Sequence, residues 1–281
     1  MKCILLCAGY ATRMYPLTEN YPKPLLEIKG KPLIDYLVDD LAKARLIDEF
    51  FIVSNHKFIN YFNEWKNGKI EKITVLDDGS TANENRLGAV KDIWFAIEQA
   101  KIDDDILVLA GDNLLDFSLK GFIEFAKQKN GNAVMRHYEK QKEKLQRTGV
   151  AIIDEDERII DMQEKPLEPK SNWAIPPFYI FKQNCLKDIK IGIDAGCKVD
   201  APGGFIEWFS KRNNVYAYLM PGKRIDIGKL EDYYKIRFWK TTFEEGIKIT
   251  INWYKNNMWW VDECTSGAYL EYYKQMYDNR K

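Results

Sequence analysis

Three kinds of residue in this chain could do chemistry together: small residues at positions 8, 9 and 11, the cations Arg13 and Lys23, and a carboxylate at Asp112. Ala8, Gly9 and Ala11 let backbone N–H groups approach an anion closely. Arg13 adds a rigid fork of donors and Lys23 a mobile point charge, so the loop suits a polyphosphate. Asp112 follows the apolar run Asp105 to Ala110, which reads as a strand delivering Gly111-Asp112-Asn113 at its carboxyl end. An Asp fixed there, beside a phosphate loop, is where a hard Mg²⁺ ion finds an oxygen ligand. Each piece alone has a plainer reading, a turn with a surface Arg and Lys in one case and an ordinary tripeptide turn in the other.

Other phosphate loops fit worse. A dinucleotide-binding loop needs three spaced glycines opening a helix, but Ala11 and Met14 hold the second and third places and Pro16 follows. A P-loop needs Gly-Lys followed by Ser or Thr, and the pairs Gly30-Lys31, Gly222-Lys223 and Gly228-Lys229 all lack that hydroxyl.

The run from Gly9 through Ala11-Thr12-Arg13-Met14 to Pro16-Leu17-Thr18, with Pro22-Lys23-Pro24-Leu25-Leu26 and Gly30-Lys31-Pro32-Leu33-Ile34, resembles the signature of the nucleoside-diphosphate-sugar pyrophosphorylases. The resemblance spans roughly residues 1 to 235. It implies transfer of a nucleoside monophosphate from a triphosphate, dTTP first and CTP or UTP next, to a sugar 1-phosphate with release of pyrophosphate. By that resemblance Ala8, Gly9, Ala11 and Thr12 wrap the triphosphate, Arg13 contacts the leaving phosphates and Lys23 the reacting ones. Gly88 in Leu87-Gly88-Ala89 contacts the base, with Asn83 in the preceding loop as a further nucleotide contact. A glycine serving only a helix N-terminus is the alternative for Gly88. Asp112, which also touches substrate, and Asp226 in Arg224-Ile225-Asp226-Ile227-Gly228 are the implied Mg²⁺ carboxylates, with Arg224 where the family has an aromatic residue. Gly149 and Glu164 are implied to contact the sugar and Lys165 its phosphate.

Composition excludes several other functions. Lys plus Arg and Asp plus Glu both total 42, so no net charge draws the chain to nucleic acid or an anionic membrane. No apolar run is long enough for a signal-peptide core or a membrane span, which points to a soluble cytoplasmic protein. The 5 cysteines are odd in number and lack Cys-x-x-Cys spacing, indicating neither a disulfide framework nor a zinc site. Cys3 and Cys7 read as small buried hydrophobes on one face of a strand. With only 2 histidines, carboxylates, Lys and Arg must carry the chemistry.

Cys3 to Cys7 is a short apolar run of the kind a buried parallel strand needs. Helices are expected from Pro32 through Leu33, Leu37 and Leu41, over Phe58 to Trp65, from Ala89 through Ile97 and over Leu119 to Gln128. Strands are expected over Phe50 to Val53, Ile70 to Leu76, Asp105 to Ala110 and Ala133 to Tyr138. The alternation predicts an α/β fold, Rossmann-like, with a mainly parallel central sheet flanked by helices and ligands beyond the carboxyl strand ends. Glu139 to Lys144 reads as a solvated, mobile segment, and Pro176-Pro177 puts the strand Asn172 to Phe181 at an edge or a bend. Short strands Thr148 to Ile153 and Arg158 to Gln163 suggest a small β-layer over the sugar side.

Residues 1–239 are read as the nucleotidyltransferase domain and 240–281 as an aromatic-rich helical tail. Phe243, Ile247, Ile251 and Tyr254 fall at helical spacing, followed by Trp259, Trp260, Tyr269, Tyr272, Tyr273 and Tyr277. So much apolar surface needs a cover, either this domain itself or a second copy in a homo-oligomer. Two other functions stand beside the main one: a CTP-dependent cytidylyltransferase acting on phosphocholine or a similar amino-alcohol, and a non-catalytic subunit that senses nucleotide sugars. Loss of charged positions would mark the latter, yet Arg13, Lys23, Asp112 and Asp226 are all present.

Overall fold

The computed structural model describes residues 1–200, 202–237 and 243–256, with Met258, Asp262 and Ser266. β1 (Lys2–Leu6) leads through a long loop to the two-residue strands β2 (Glu27–Ile28) and β3 (Lys31–Pro32), then to α1 (Leu33–Ala44). Next come β4 (Glu49–Ser54), α2 (Ile59–Trp65), β5 (Ile73–Asp77), α3 (Ala89–Gln99), β6 (Ile106–Ala110), β7 (Asn113–Leu115), α4 (Lys120–Lys129) and β8 (Asn132–Tyr138). The short α5 (Lys142–Leu145) precedes β9 (Gly149–Ile153), β10 (Ile159–Glu164), β11 (Trp173–Ile175) and β12 (Phe178–Phe181). After these lie α6 (Lys187–Asp194), α7 (Pro202–Phe209), β13 (Val215–Leu219), β14 (Arg224–Asp226), α8 (Leu230–Arg237) and α9 (Phe243–Asn256).

The main sheet runs β5-β4-β1-β6-β12-β8-β11-β9-β10, with β13 also beside β8. β5, β4, β1 and β6 are mutually parallel, and β12 alone reverses between β6 and β8. The strands expected as a β-layer over the sugar side are continuous with this sheet through β11.

β1 explains the architecture. Ile4 and Ala8 point into one apolar cluster, while Cys3, Leu5 and Cys7 point into the other. A strand covered on both faces has no polar alternation, which is why its sequence is a continuous apolar run. Val90 and Ile93 of α3 and Phe205 and Phe209 of α7 cover the first face. Leu37 and Leu41 of α1, Phe62 of α2 and Phe122 of α4 cover the second. Each such fully buried side chain contributes about 1.5–3 kcal/mol of transfer free energy, so the strand that launches the Gly9 to Arg13 loop lies in a strongly held part of the fold.

The local expectations are refined at three places, and one helix went unread. Lys140 to Lys144 is exposed, as expected of a solvated segment, but Lys142–Leu145 is helical (α5) and is anchored just past the segment by Leu145, which is 3% exposed and packs with Val150 and Ala174. Of the edge and the bend expected at Pro176-Pro177, the structure has the bend: β11 pairs with both β9 and β8 and β12 with both β8 and β6, so neither is an edge. Ile70 is 97% exposed and precedes β5, which starts at Ile73. α6 went unread because Ile189 and Gly192 are its only buried residues.

The chain divides into two compact units, Met1–Tyr233 and Tyr234–Lys281. In the second, α9 exposes Ile247, Ile251, Trp253 and Tyr254. Trp259, Trp260, Tyr269, Tyr272, Tyr273 and Tyr277 lie outside the described residues.

Candidate active site

The loop after β1 is tied down at several points. Buried Asn55, at the carboxyl end of β4, donates from Nδ2 to the Ala8 carbonyl at 3.0 Å and accepts the Phe58 N–H at 3.0 Å. Tyr10 donates its hydroxyl to the Ser80 carbonyl at 3.0 Å. Thr18 Oγ1 donates to the Ala11 carbonyl at 2.8 Å. Ala11 itself adopts φ 48° and ψ 40°, a left-handed conformation costing a non-glycine residue about 1–2 kcal/mol. The surrounding bonds hold that turn, and they aim the backbone of residues 8 to 13 at the open space beyond β1.

β6 ends beside it. A Cβ on Gly111 would lie 2.5 Å from Cys7 Sγ, so only glycine lets β6 finish this close to β1 and deliver Asp112 to the loop. A cavity of about 160 Å³ results, lined by Gly9, Ala11, Arg13, Lys23, Asp112 and Gly228 among others. Lys23, expected as a mobile charge, is held instead: its Nζ lies 2.6 Å from Asp112 Oδ2 and the residue is 7% exposed. The ion pair keeps cation and carboxylate together in the lining of the cavity.

Asp226 reaches the same region through the two-stranded ladder of β14 and β7, which sets it opposite Asn113. Asn113 is fully buried and donates from Nδ2 to the Ala110 carbonyl at 3.0 Å and to Asp112 Oδ1 at 3.1 Å. Its Oδ1 accepts from Arg224 Nη1 at 2.7 Å, and Arg224 Nη2 lies 3.6 Å from Asp226 Oδ2. Arg224 thus links β14 to β7. Among the described residues no group of three or more His, Cys, Asp and Glu side chains is assembled for a metal. Mg²⁺ asks for less, one or two carboxylates with substrate phosphates and water completing its shell. Asp112, already beside a cation at Lys23, and half-exposed Asp226 fit that requirement.

A second cavity, about 310 Å³, adjoins the first and shares Gly9, Ala11 and Arg13 with it. Ala8, Thr12, Asn83 and Gly88 line it too. Gly88 caps α3 with φ 92°, and a Cβ there would meet the Val199 carbonyl oxygen at 3.0 Å, so both conformation and space demand glycine. Arg86, Asp92 and Asp200, none of them among the expected site residues, also line this cavity. Arg86 and Asp200 pair at 3.6 Å. Burial pushes the Asp92 carboxyl up to about 7, with the Asp78 charge adding to the effect.

On the far side, Glu164 sits opposite Gly149 across the β10–β9 pair. Its Oε1 is 3.7 Å from Lys165 Nζ, and Lys165 is more than half exposed. Burial raises the pKa of Glu164, with Lys165 and Lys198 opposing that effect. Glu164, Lys165, Lys198 and Asp200 line a third cavity of about 500 Å³ that meets the second at Asp200. The expected residues therefore fall into three groups: the Gly9 to Arg13 loop with Lys23 and Asp112, the Asn83 and Gly88 side, and the Glu164 and Lys165 side; Asp226, opposite Asn113 on β14, lines none of the three cavities.

The profile of the nucleotidyl transferase family matches residues 2–240, and the chain belongs to that family. It is 32% identical over 192 residues to the bifunctional protein GlmU of Methanocaldococcus jannaschii, covering 68% of this chain and 42% of that protein. To the glucose-1-phosphate adenylyltransferase of Fervidobacterium nodosum it is 27% identical, covering 86% of this chain and 60% of the relative. The UDP-glucose pyrophosphorylase structure from Acinetobacter baumannii superposes with a TM-score of 0.70 at 17% identity, over 89% of this chain and 98% of that one, a likeness of fold. The chain spans about half the length of the curated relatives it matches. No helix among the described residues is long and apolar enough to cross a membrane.

Proposed function

We propose that this protein is a sugar-1-phosphate nucleotidyltransferase, joining a nucleoside triphosphate to a sugar 1-phosphate and releasing pyrophosphate. The observation that carries this reading is the meeting of the Gly9 to Arg13 loop, Lys23 and Asp112 in one cavity at the carboxyl ends of the parallel strands β1 and β6. A phosphate oxygen of the sugar attacks the α-phosphorus in line with departing pyrophosphate, and no covalent enzyme intermediate is required. Arg13 and Lys23 face the triphosphate, and Lys165 draws in the acceptor phosphate. Fixed positive groups around spreading negative charge accelerate such a transfer through position and electrostatics. Glu164 accepts hydrogen bonds from sugar hydroxyls. Asp112 and Asp226 would hold Mg²⁺, which when bound neutralises phosphate charge.

dTTP is the donor proposed first, while the relatives' names include guanyl, adenylyl and uridylyl transfer. The base is therefore a question for the second cavity. Assembly of copies through residues 240–281 belongs to the same reading, and light scattering of the whole chain against one cut after Trp239 tests it: equal masses end that part. The activity is tested by incubating the protein with Mg²⁺, each nucleoside triphosphate and a panel of phosphorylated acceptors, and following pyrophosphate. Release with sugar 1-phosphates is expected. Release with phosphocholine alone, or with no acceptor at all, overturns the reading.

A further inference from the structure

We propose that Gly203 and Gly204, in the first turn of α7, are positioning residues for the acceptor: they leave the room in which Glu164 and Lys198 are held at the third cavity. The inference rests on the nucleotidyltransferase reading above. A Cβ on Gly203 would stand 1.9 Å from Glu164 Oε2 and 2.8 Å from its carboxyl carbon, so the carboxylate occupies the space a side chain would fill. A Cβ on Gly204 would meet Lys198 Cβ at 2.8 Å and Cδ at 3.5 Å, so the lysine stem lies along that residue. Neither glycine has a positive φ, and glycine is a poorer helix former than alanine, so conformation and propensity give no reason for the pair. Space for Glu164 and Lys198 is the reason that remains.

The arrangement is stiff on both sides. Phe205 and Ile206, next along α7, are fully buried in the first apolar cluster, so the backbone of the turn cannot retreat from an added methyl. Glu164 is fixed in the β10–β9 ladder opposite Gly149, where a Cβ would lie 3.3 Å from Oε2. Its side chain is 8% exposed, with Lys165 Nζ 3.7 Å from Oε1. Successive residues of a strand point to opposite faces, but Lys165 takes a left-handed φ of 48° just past the end of β10 and lines the same cavity as Glu164. Among the described residues Lys198 pairs with no carboxylate, and its charge acts on Glu164. The Val199 carbonyl beside it accepts the Val90 N–H at 3.0 Å, which ties this segment to α3. Glu164 accepts no hydrogen bond from a described residue, so its oxygens are available to the hydroxyls of the acceptor. A misplacement of about 1 Å in such a contact can cost roughly a hundredfold in rate.

The test is steady-state kinetics of the whole chain in Mg²⁺ buffer, following pyrophosphate. Glucose, galactose, mannose and N-acetylglucosamine 1-phosphates are run against dTTP, UTP, CTP, ATP and GTP, and the fastest wild-type pair is carried forward. Gly203→Ala should raise the acceptor KM at least about tenfold, with the affinity for triphosphate alone, measured by calorimetry, within about twofold of wild type. Adding Glu164→Asp to Gly203→Ala should recover at least about threefold of that loss, because the shorter carboxylate clears the methyl, whereas Glu164→Asp alone impairs the wild-type chain. Lys198→Met keeps the stem on Gly204 and removes the charge, so it should raise the same KM at least about threefold. If Gly203→Ala unfolds the chain, restored folding in the double variant supports the same contact, and its absence overturns it. An acceptor KM within about twofold of wild type in Gly203→Ala, equal losses for acceptor and triphosphate, or a double variant no better than Gly203→Ala overturns the positioning role alone. An unchanged KM in Lys198→Met removes the lysine from it. If the wild-type chain turns over no pair, the nucleotidyltransferase reading fails and this inference fails with it.

Discussion

Arg224 Nη1 donates to Asn113 Oδ1 at 2.7 Å, joining β14 to the residue that follows Asp112 in sequence. Arg224→Ala leaves a fully buried amide oxygen without that charge-assisted donor, a loss of about 1–3 kcal/mol. It also frees Asp112 and Asp226 to drift apart. The variant should melt several degrees lower and release pyrophosphate more slowly, with a raised Mg²⁺ requirement. An unchanged melting temperature would show that the bond contributes nothing.

Asp112→Asn and Asp226→Asn each remove one hard anionic ligand while keeping shape. Turnover at saturating Mg²⁺ should fall by two orders of magnitude or more in either variant, with circular dichroism unchanged. Pyrophosphate release within a fewfold of wild type would take the residue out of the metal site.

Lys23→Ala should chiefly lower kcat, because a charge aimed at the reacting phosphates gains most of its effect in the transition state. Steady-state kinetics against the triphosphate decide it. A raised KM at constant kcat would make Lys23 a ground-state binder.

Glu164→Ala should impair use of hexose 1-phosphate far more than binding of free triphosphate, since the side chain stands on the far side from the phosphate loop. Comparing the acceptor KM with triphosphate affinity measured alone gives the answer. Parallel losses in both would place Glu164 among structural residues.

Asp92 also leaves a signature in stability. Its native pKa of about 7 lies above the ordinary 3.8, so between those values the folded chain binds more protons than the unfolded one. Stability therefore falls as pH rises through that window, is unaffected below it, and above it carries a penalty on the order of a few kcal/mol. Asp92→Asn removes the penalty. It should melt higher than wild type at pH 8 and about equally at pH 4, and a difference independent of pH would refute the ionisation argument.

Local order along the chain made much of this legible. β1 and its loop announce themselves because an apolar run ends in small residues and cations within a few positions, and Asp112 follows another such run. Asp92 could not be found that way. On a helix pattern an Asp between Val90 and Ile93 reads as the solvated face, and only the packing of α3 beneath the Gly88 turn buries it. Arg86 carried a weak signal, standing two residues before the expected base glycine, whereas Asp200 and Lys198 depend on how residues 195–200 cross the cleft. The role of Arg224 was equally hidden, because its partner Asn113 is 111 residues away. Contacts of that kind belong to topology, and no spacing rule encodes them.

The Lys23–Asp112 pair has a thermodynamic meaning beyond geometry. A triphosphate that draws the Lys23 ammonium toward itself uncovers Asp112 Oδ2, and a divalent cation that takes this oxygen releases Lys23 toward the triphosphate. Each ligand thereby removes the competitor of the other, and linkage requires the benefit to be reciprocal. On the proposed function the site would then act as a two-key lock: nucleotide alone or metal alone would work against an intact ion pair, and the two together would bind more tightly than their separate affinities imply.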